Sequence, residues 1–285
     1  MTAPAPSGAR GTVWQRIRRH PHMVAGGSVF LALVLLAVAA PIVADADLYL
    51  MQPQDALRPP SQRHWFGTDE FGRDLFTRVV HGARLSLSVG VVAVGIACGL
   101  GVAVGLASGY YGGFLDLGLM RLVDLMLAFP GILLALAIVA ILGPGLTNAM
   151  IAVGITGIPS YARVVRGAVL QAKAFPYVEA ARAVGVPSRV ILVRHVLPNV
   201  AAPIIVLSTL NMAAAILTAA ALSFLGLGAQ PPQPEWGALL NAGRNWLQRA
   251  WWLTTFPGLA IMVTVLAINT LGDGLRDVLD PRLKG

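Results

Sequence analysis

Five stretches of this chain contain no Asp, Glu, Lys or Arg: residues 20–44, 85–115, 125–162, 195–234 and 250–272. Together they hold 157 of the 285 residues. A helix needs about 20 apolar residues to cross a bilayer, and every window is that long. Charged residues make up 12% of the chain, against about a quarter of an ordinary soluble domain. A soluble core is not built this way, so a water-soluble enzyme is excluded. The fold class that follows is an all-α polytopic membrane protein, because a helix satisfies its backbone hydrogen bonds within one segment.

Two windows need dividing. Window 125–162 is too long for one span and is broken by Gly143-Pro144-Gly145, a strong turn signal. Window 195–234 ends in Gln230-Pro231-Pro232-Gln233-Pro234, which leaves about 200–225 for the membrane. The reading is six transmembrane helices near 24–44, 87–108, 126–142, 146–165, 200–225 and 253–272. The first has a basic lead, Arg16, Arg18 and Arg19, but a longer apolar run than a cleaved signal peptide.

Lys and Arg set the orientation. With a cytoplasmic N-terminus, inner segments carry 14 of them and outer segments 7, which favours both termini inside. The parts are then a cytoplasmic tail 1–23, a first helix 24–44 and an extracytoplasmic loop 45–86. A five-helix core 87–272 follows, with an inner loop 166–198 and an outer loop 226–252, and a cytoplasmic tail 273–285 closes the chain. The net charge of +8 flanks the spans instead of forming one basic domain, so no nucleic-acid partner is expected. Cys98 is the single cysteine, and no His/Cys/Asp/Glu spacing suggests a metal.

The inner loop between spans four and five is the most informative segment. Tyr177–Val184 favours a helix, and Gly185 stops it by tolerating a left-handed backbone. Pro187 and Ser188 restart a helix, with Val190, Ile191, Val193 and Val196 on an apolar face. Arg189 and Arg194 lie off that face, and Pro198 is expected to end the helix. A short helix–glycine–helix knob suits docking of a soluble partner, not catalysis, and no catalytic residues are assigned.

Glu179-Ala180-Ala181, then three residues, then Gly185, and later Leu197-Pro198, resembles the EAA motif of importer-type ABC transmembrane subunits. His64-Trp65-Phe66-Gly67-Thr68-Asp69-Glu70-Phe71-Gly72-Arg73-Asp74 is similar to the segment ahead of span two in the dipeptide, oligopeptide and nickel branch. So are Gly82-Ala83-Arg84-Leu85-Ser86-Leu87, Ser223-Phe224-Leu225-Gly226-Leu227-Gly228, Pro234-Glu235-Trp236-Gly237 and Asp280-Pro281-Arg282-Leu283. The pattern is that of the "C" member of the paired permeases. The resemblance implies an ATPase contact at Glu179, Ala180, Ala181, Gly185, Leu197 and Pro198. It also implies a homologous permease partner in a heterodimer, two ATP-binding subunits and an extracytoplasmic solute-binding protein. ATP and Mg would sit on the partner ATPases, with no cofactor on this chain, in the inner membrane of a bacterium. Cargo by resemblance is dipeptides or oligopeptides, with nickel or glutathione behind them.

Other residues stay open at this stage. Asp69, Arg73 and Asp74 fit either ion pairs that fix the outer loop or a contact for the binding protein. The Asp69–Arg73 spacing permits a helical pair. Glu235 and Trp236 belong to a loop read as an interfacial helix or part of an outer gate. Asn211 and Asn269 are expected to face other helices or the pathway, because an amide facing lipid is unfavourable. Gly90, Gly95, Gly99, Gly101 and Gly105 suggest a close-packing seam. A secondary transporter would want ionisable groups at mid-membrane, and the assigned spans have none at their centres. The chain also lacks the Gly-x4-Gly-Lys-Ser/Thr loop of an ATPase.

Overall fold

A computed structural model describes residues 21–44 and 47–279. The tail 1–20 and the Asp280-Pro281-Arg282-Leu283 motif lie outside the described residues. Helices dominate: α1 Pro21–Val43, α2 Leu75–Tyr111, α3 Gly113–Leu127, α4 Gly131–Leu142, α5 Leu146–Lys173 and α6 Pro176–Ala183. After these come α7 Ser188–Phe224, α8 Trp236–Gly243 and α9 Trp252–Leu279. Among the described residues the only β feature is an isolated bridge, Thr68 to Asp74.

α1, α2, α7 and α9 are each long and apolar enough to cross a bilayer, and α3 with α4 makes a fifth crossing if the bent pair counts as one. The bend is 93°. It departs from the single short span expected at 126–142. The helix breaks at Ala128-Phe129-Pro130, because a proline disfavours helical geometry in the residue before it. The Gly143-Pro144-Gly145 break is where the sequence puts it, between Leu142 and Leu146. α5 covers 146–165 and has the length. Its Thr147, Asn148, Thr156, Ser160, Arg163 and Arg166 make it less apolar than the other long helices. Phe114, Ile141 and Ile42 are 94, 86 and 84% exposed, an outer surface suited to lipid.

α2 runs 37 residues, about 55 Å at 1.5 Å per residue, well beyond a hydrocarbon core of about 30 Å. It starts at Leu75, twelve residues ahead of the expected span, because Asp74 caps it by accepting from the Thr77 amide at 2.9 Å.

Small residues let α2 and α5 touch. A Cβ on Gly101 would lie 2.5 Å from Tyr161 Cβ, and one on Gly105 2.7 Å from the Ala162 carbonyl oxygen. Gly109 continues the row against Val169. The expected seam is therefore only partly right, since a Cβ on Gly95 or Gly99 would meet nothing within 4 Å. α1 closes on α9 at Gly26, where a Cβ would stand 2.8 Å from Thr270 Cβ. Without water to drive helices together, such close van der Waals contact holds a membrane bundle.

Candidate functional site

One end of the bundle carries the knob. α6 is eight residues, and Val184 and Gly185 follow it, with Gly185 at φ +80°. The Val186 amide donates to the Ala181 carbonyl at 3.0 Å and the Gly185 amide to Arg182 at 2.9 Å. These two bonds close the helix end as a Schellman motif. Ser188 reopens the helix, as expected.

Pro198 does not stop it. Ile191–Val196 forms a π-helical turn, and the chain runs on as α-helix from Leu197 to Phe224. The wider turn moves the hydrogen-bond register ahead of the proline, whose missing N–H then falls in the first turn of the α segment. Val193 also departs from its expected face: it is 61% exposed, while Ile191 and Val196 are fully buried.

The knob has a dry side and a wet side. Val178 is fully buried, in one cluster with Tyr110, Val165, Val169, Ala172, Ile191, Val196 and Val200. Glu179, Ala180 and Gly185 face outward with Arg182, Arg189 and Arg194, and Ala181 is half-buried. Val184 is 78% exposed. A buried valine anchors the element while a small, mostly exposed surface is left for a partner.

Ion pairs tie α5 to α3 beside the knob. Arg166 grips Asp116 through Nε at 2.7 Å and Nη2 at 2.6 Å, and Arg163 Nη2 reaches Asp124 at 2.7 Å. The sequence alone does not pair these arginines, because their partners lie 50 and 39 positions away.

At the opposite end of the bundle the candidate residues turn inward. Asp69 and Arg73 are buried and pair at 2.6 Å. They do so across a tight turn and not along a helix: Asp69 Oδ1 accepts the Phe71 and Arg73 amides, both at 2.9 Å. Asp74 serves as the α2 cap and meets His64 Nδ1 at 3.0 Å. Glu235 is 2% exposed and caps α8, accepting the Gly237 and Ala238 amides at 3.0 Å and the Ser86 hydroxyl at 3.2 Å.

Trp236 is 1% exposed, so it is core and not an interfacial anchor. Three indoles fasten the 226–252 loop and the start of α9 to the 68–79 segment. Trp236 donates to Val79, Trp246 to Glu70 and Trp252 to Thr68, at 2.9, 2.6 and 3.1 Å. Of the five outer candidates, Asp69, Arg73, Glu235 and Trp236 are thus buried frame residues.

A mid-depth cavity of about 160 Å³ lies between α2, α5 and α7. Thr156, Ser160, Asn211 and Thr218 supply its polar groups, on a floor that includes Ala93, Ala97 and Gly157, and no charged side chain lines it. Asn211 lines this cavity while its Nδ2 donates to Leu207 at 3.1 Å. Asn269 is half-buried on α9 and does not join it. Among the described residues no group of His, Cys, Asp and Glu is placed to hold a metal ion.

Comparison with known proteins agrees with this geometry. Residues 101–285 match the family described as binding-protein-dependent transport system inner membrane component. Residues 10–60 match the N-terminal TM domain of oligopeptide transport permease C. The chain is 48% identical over 271 residues to the dipeptide transport system permease protein DppC of Alkalihalophilus pseudofirmus, covering 95% of this chain and 89% of that one. It is 47% identical over 272 residues to the glutathione transport system permease protein GsiD of Pectobacterium atrosepticum, covering 95% and 90%. A solved structure of the MetNI methionine ABC transporter, inward facing, superposes with a TM-score of 0.58 at 19% identity. That match covers 71% of this chain and 96% of the other.

Proposed function

The chain belongs to the family of inner-membrane components of binding-protein-dependent transport systems, as an ABC importer permease subunit, and from that premise we propose how it couples and what it carries. In this reading the wet side of the knob, Glu179, Ala180, Ala181 and Gly185, is the seat of a separate ATPase, with Leu197 and Pro198 at the root of the returning helix. The observation that carries the reading is the contrast between fully buried Val178 and exposed Val184. Such a surface is built to be met from outside the chain.

ATP binding closes the paired ATPases and pulls the knob. Only Ala174 and Phe175 separate α5 from α6, and only Val184 to Pro187 separate α6 from α7. A displacement of α6 therefore passes to both long helices with little slack. Those helices carry two walls of the mid-depth cavity, so the pull changes the width of the pathway. ATP hydrolysis then resets it. The phosphate chemistry and its Mg belong to the partners, and this chain supplies half of the channel.

The full assembly in this proposal holds a homologous permease in a heterodimer, two ATPases and an extracytoplasmic binding protein, with both termini of this chain in the cytoplasm. Six crossings follow, with α5 as the most polar. The cargo is a dipeptide or short oligopeptide. The hydroxyls of Thr156, Ser160 and Thr218 and the amide of Asn211 can exchange hydrogen bonds with a peptide backbone without binding a fixed charge too tightly to release. Glutathione, a peptide-like solute, is the second reading, and the identity to a glutathione permease favours it. Nickel stands behind both.

The test is reconstitution with the partner permease, ATPases and binding protein in proteoliposomes. Glu179→Lys with Gly185→Trp is expected to strip the ATPases and abolish ATP-dependent uptake of a labelled dipeptide. Retention of both sinks the coupling assignment. Uptake of labelled glutathione in place of the dipeptide shifts the cargo to the second reading.

A further inference from the structure

The knob is also joined to α2, a helix it does not follow in sequence. The last turn of α2 ends at Tyr111, and the chain reverses through Gly112 and Gly113, at φ +68° and +58°, into α3. This elbow is held by groups from three directions. Asp116, in the first turn of α3, takes the Arg166 fork and the Ser108 hydroxyl. Lys173, the last residue of α5, donates its Nζ to the Tyr110 carbonyl at 2.7 Å and to Gly109 at 3.3 Å. A cation there meets the negative end of α2.

The third direction is the knob itself. The Arg182 guanidinium of α6 lies 4.9 Å from the centre of the Tyr110 ring, and Lys173 Nζ lies 5.7 Å from the same ring. Both distances fall within reach of a cation–π contact. Tyr110 is 6% exposed and belongs to the cluster around Val178. The ring is therefore met by both the end of α5 and the body of α6, at the point where α2 turns into α3.

We propose that Tyr110 and Arg182 are positioning residues that carry the movement of α6 into the α2–α3 elbow, in parallel with the direct connections to α5 and α7. The proposal rests on α6 being the ATPase seat. Through this contact a pull on the knob reaches α2, which supplies Ala93, Val94 and Ala97 to the cavity wall. All three walls then move together. Without it, α5 and α7 follow the ATPases while α2 lags, and ATP is spent on strokes that move no cargo.

The experiment uses the reconstituted transporter with binding protein and a labelled dipeptide, reading solute moved per ATP hydrolysed and ATPase retention on purification. Tyr110→Leu keeps an apolar side chain but removes the ring face, Tyr110→Phe keeps the ring, and Arg182→Ala removes the cation. The expected result is a drop of about fivefold or more in solute per ATP for Tyr110→Leu and Arg182→Ala, the low end of an ordinary coupling free energy. ATPases stay bound, and Tyr110→Phe keeps the ratio of the parent. An unchanged ratio in both variants overturns the proposal. So does loss of ATPases from Arg182→Ala, which would make Arg182 part of the seat. If Tyr110→Leu does not assemble, the exposed Arg182 decides alone. Failure of the underlying reading shows separately, as ATPases that remain on the Glu179→Lys, Gly185→Trp chain.

Discussion

The indole nitrogen of Trp236 donates to the backbone carbonyl of Val79 at 2.9 Å, across 157 positions of sequence. The Ser86 hydroxyl lies one side chain away, donating to Glu235 at 3.2 Å and accepting the Trp236 amide at 3.2 Å. The start of α8 is thereby fixed against the first third of α2. Trp236→Phe is expected to cost about 1 kcal/mol, the net worth of one hydrogen bond. Trp236→Ala is expected to cost about 3–5 kcal/mol through the cavity it leaves. Thermal unfolding in detergent checks both, and an unchanged midpoint for Trp236→Phe would refute a specific role for the indole N–H.

Glu235 acts on the same junction as a cap. Replacing it by Ala leaves the Gly237 and Ala238 amides without their acceptor in a buried place, at a cost of about 1–3 kcal/mol. Glu235→Gln keeps an acceptor and is expected to lose less. Were Glu235 instead a cargo contact, uptake would fall with stability unchanged, and the two measurements together tell these apart.

The glycines of α2 divide by what surrounds them. Gly105→Ala puts a Cβ 2.7 Å from the Ala162 carbonyl oxygen and the Val165 Cβ, and α5 must move away. A loss of about 1–3 kcal/mol follows from such overpacking. Gly99→Ala meets open space and should gain about 0.5–1 kcal/mol from helix propensity. Thermal midpoints that rise for Gly105→Ala or fall for Gly99→Ala contradict the packing described for α2 and α5.

Gly185→Ala isolates the backbone contribution at the knob. No neighbour lies within 4 Å of the added Cβ, so only the left-handed φ opposes it, by about 1–2 kcal/mol. ATPase retention should fall partially, and further for Gly185→Trp. Equal retention by the parent and both variants would mean that Gly185 shapes neither the knob nor the seat.

Asn211 and Asn269 give a paired comparison inside the bundle. Asn211→Leu alters the cavity wall and is expected to lower uptake with ATPases still bound, whereas Asn269→Leu leaves the cavity lining intact and affects uptake less. The reverse order would move the pathway toward α9.

Much of this was legible in the residues. Charge-free windows located the long helices because leaving charge out is the condition for meeting lipid. Gly143-Pro144-Gly145 and Gly185 marked ends because their backbones adopt what other residues resist. The bend before α4 was harder, although Pro130-Gly131 signals it, because hydropathy averages over a break that remains apolar. Asp69, Arg73 and Glu235 read as outer-surface groups for a different reason. Their partners are a turn's own amides, a helix start and Ser86, 149 positions away, and burial of that kind is decided by tertiary structure. Pro198 misled because a proline stop assumes α-helical register, and the chain passes it with a π turn.

Prolines lie within α1, α5, α7 and α9, at Pro41, Pro159, Pro198 with Pro203, and Pro257, while α2 has none. It runs from the Asp74 cap to the Tyr110 elbow as one unbroken shaft. Work delivered to a shaft at either end is felt at the other, and equilibrium binding obeys the same symmetry. If an ATPase gripping the inner end alters the grip of a partner on the outer end, that outer partner must alter the ATPase's hold by the same factor. Under the proposed coupling, the long helix makes this subunit a two-way instrument, able to report the arrival of cargo as well as to obey the motor.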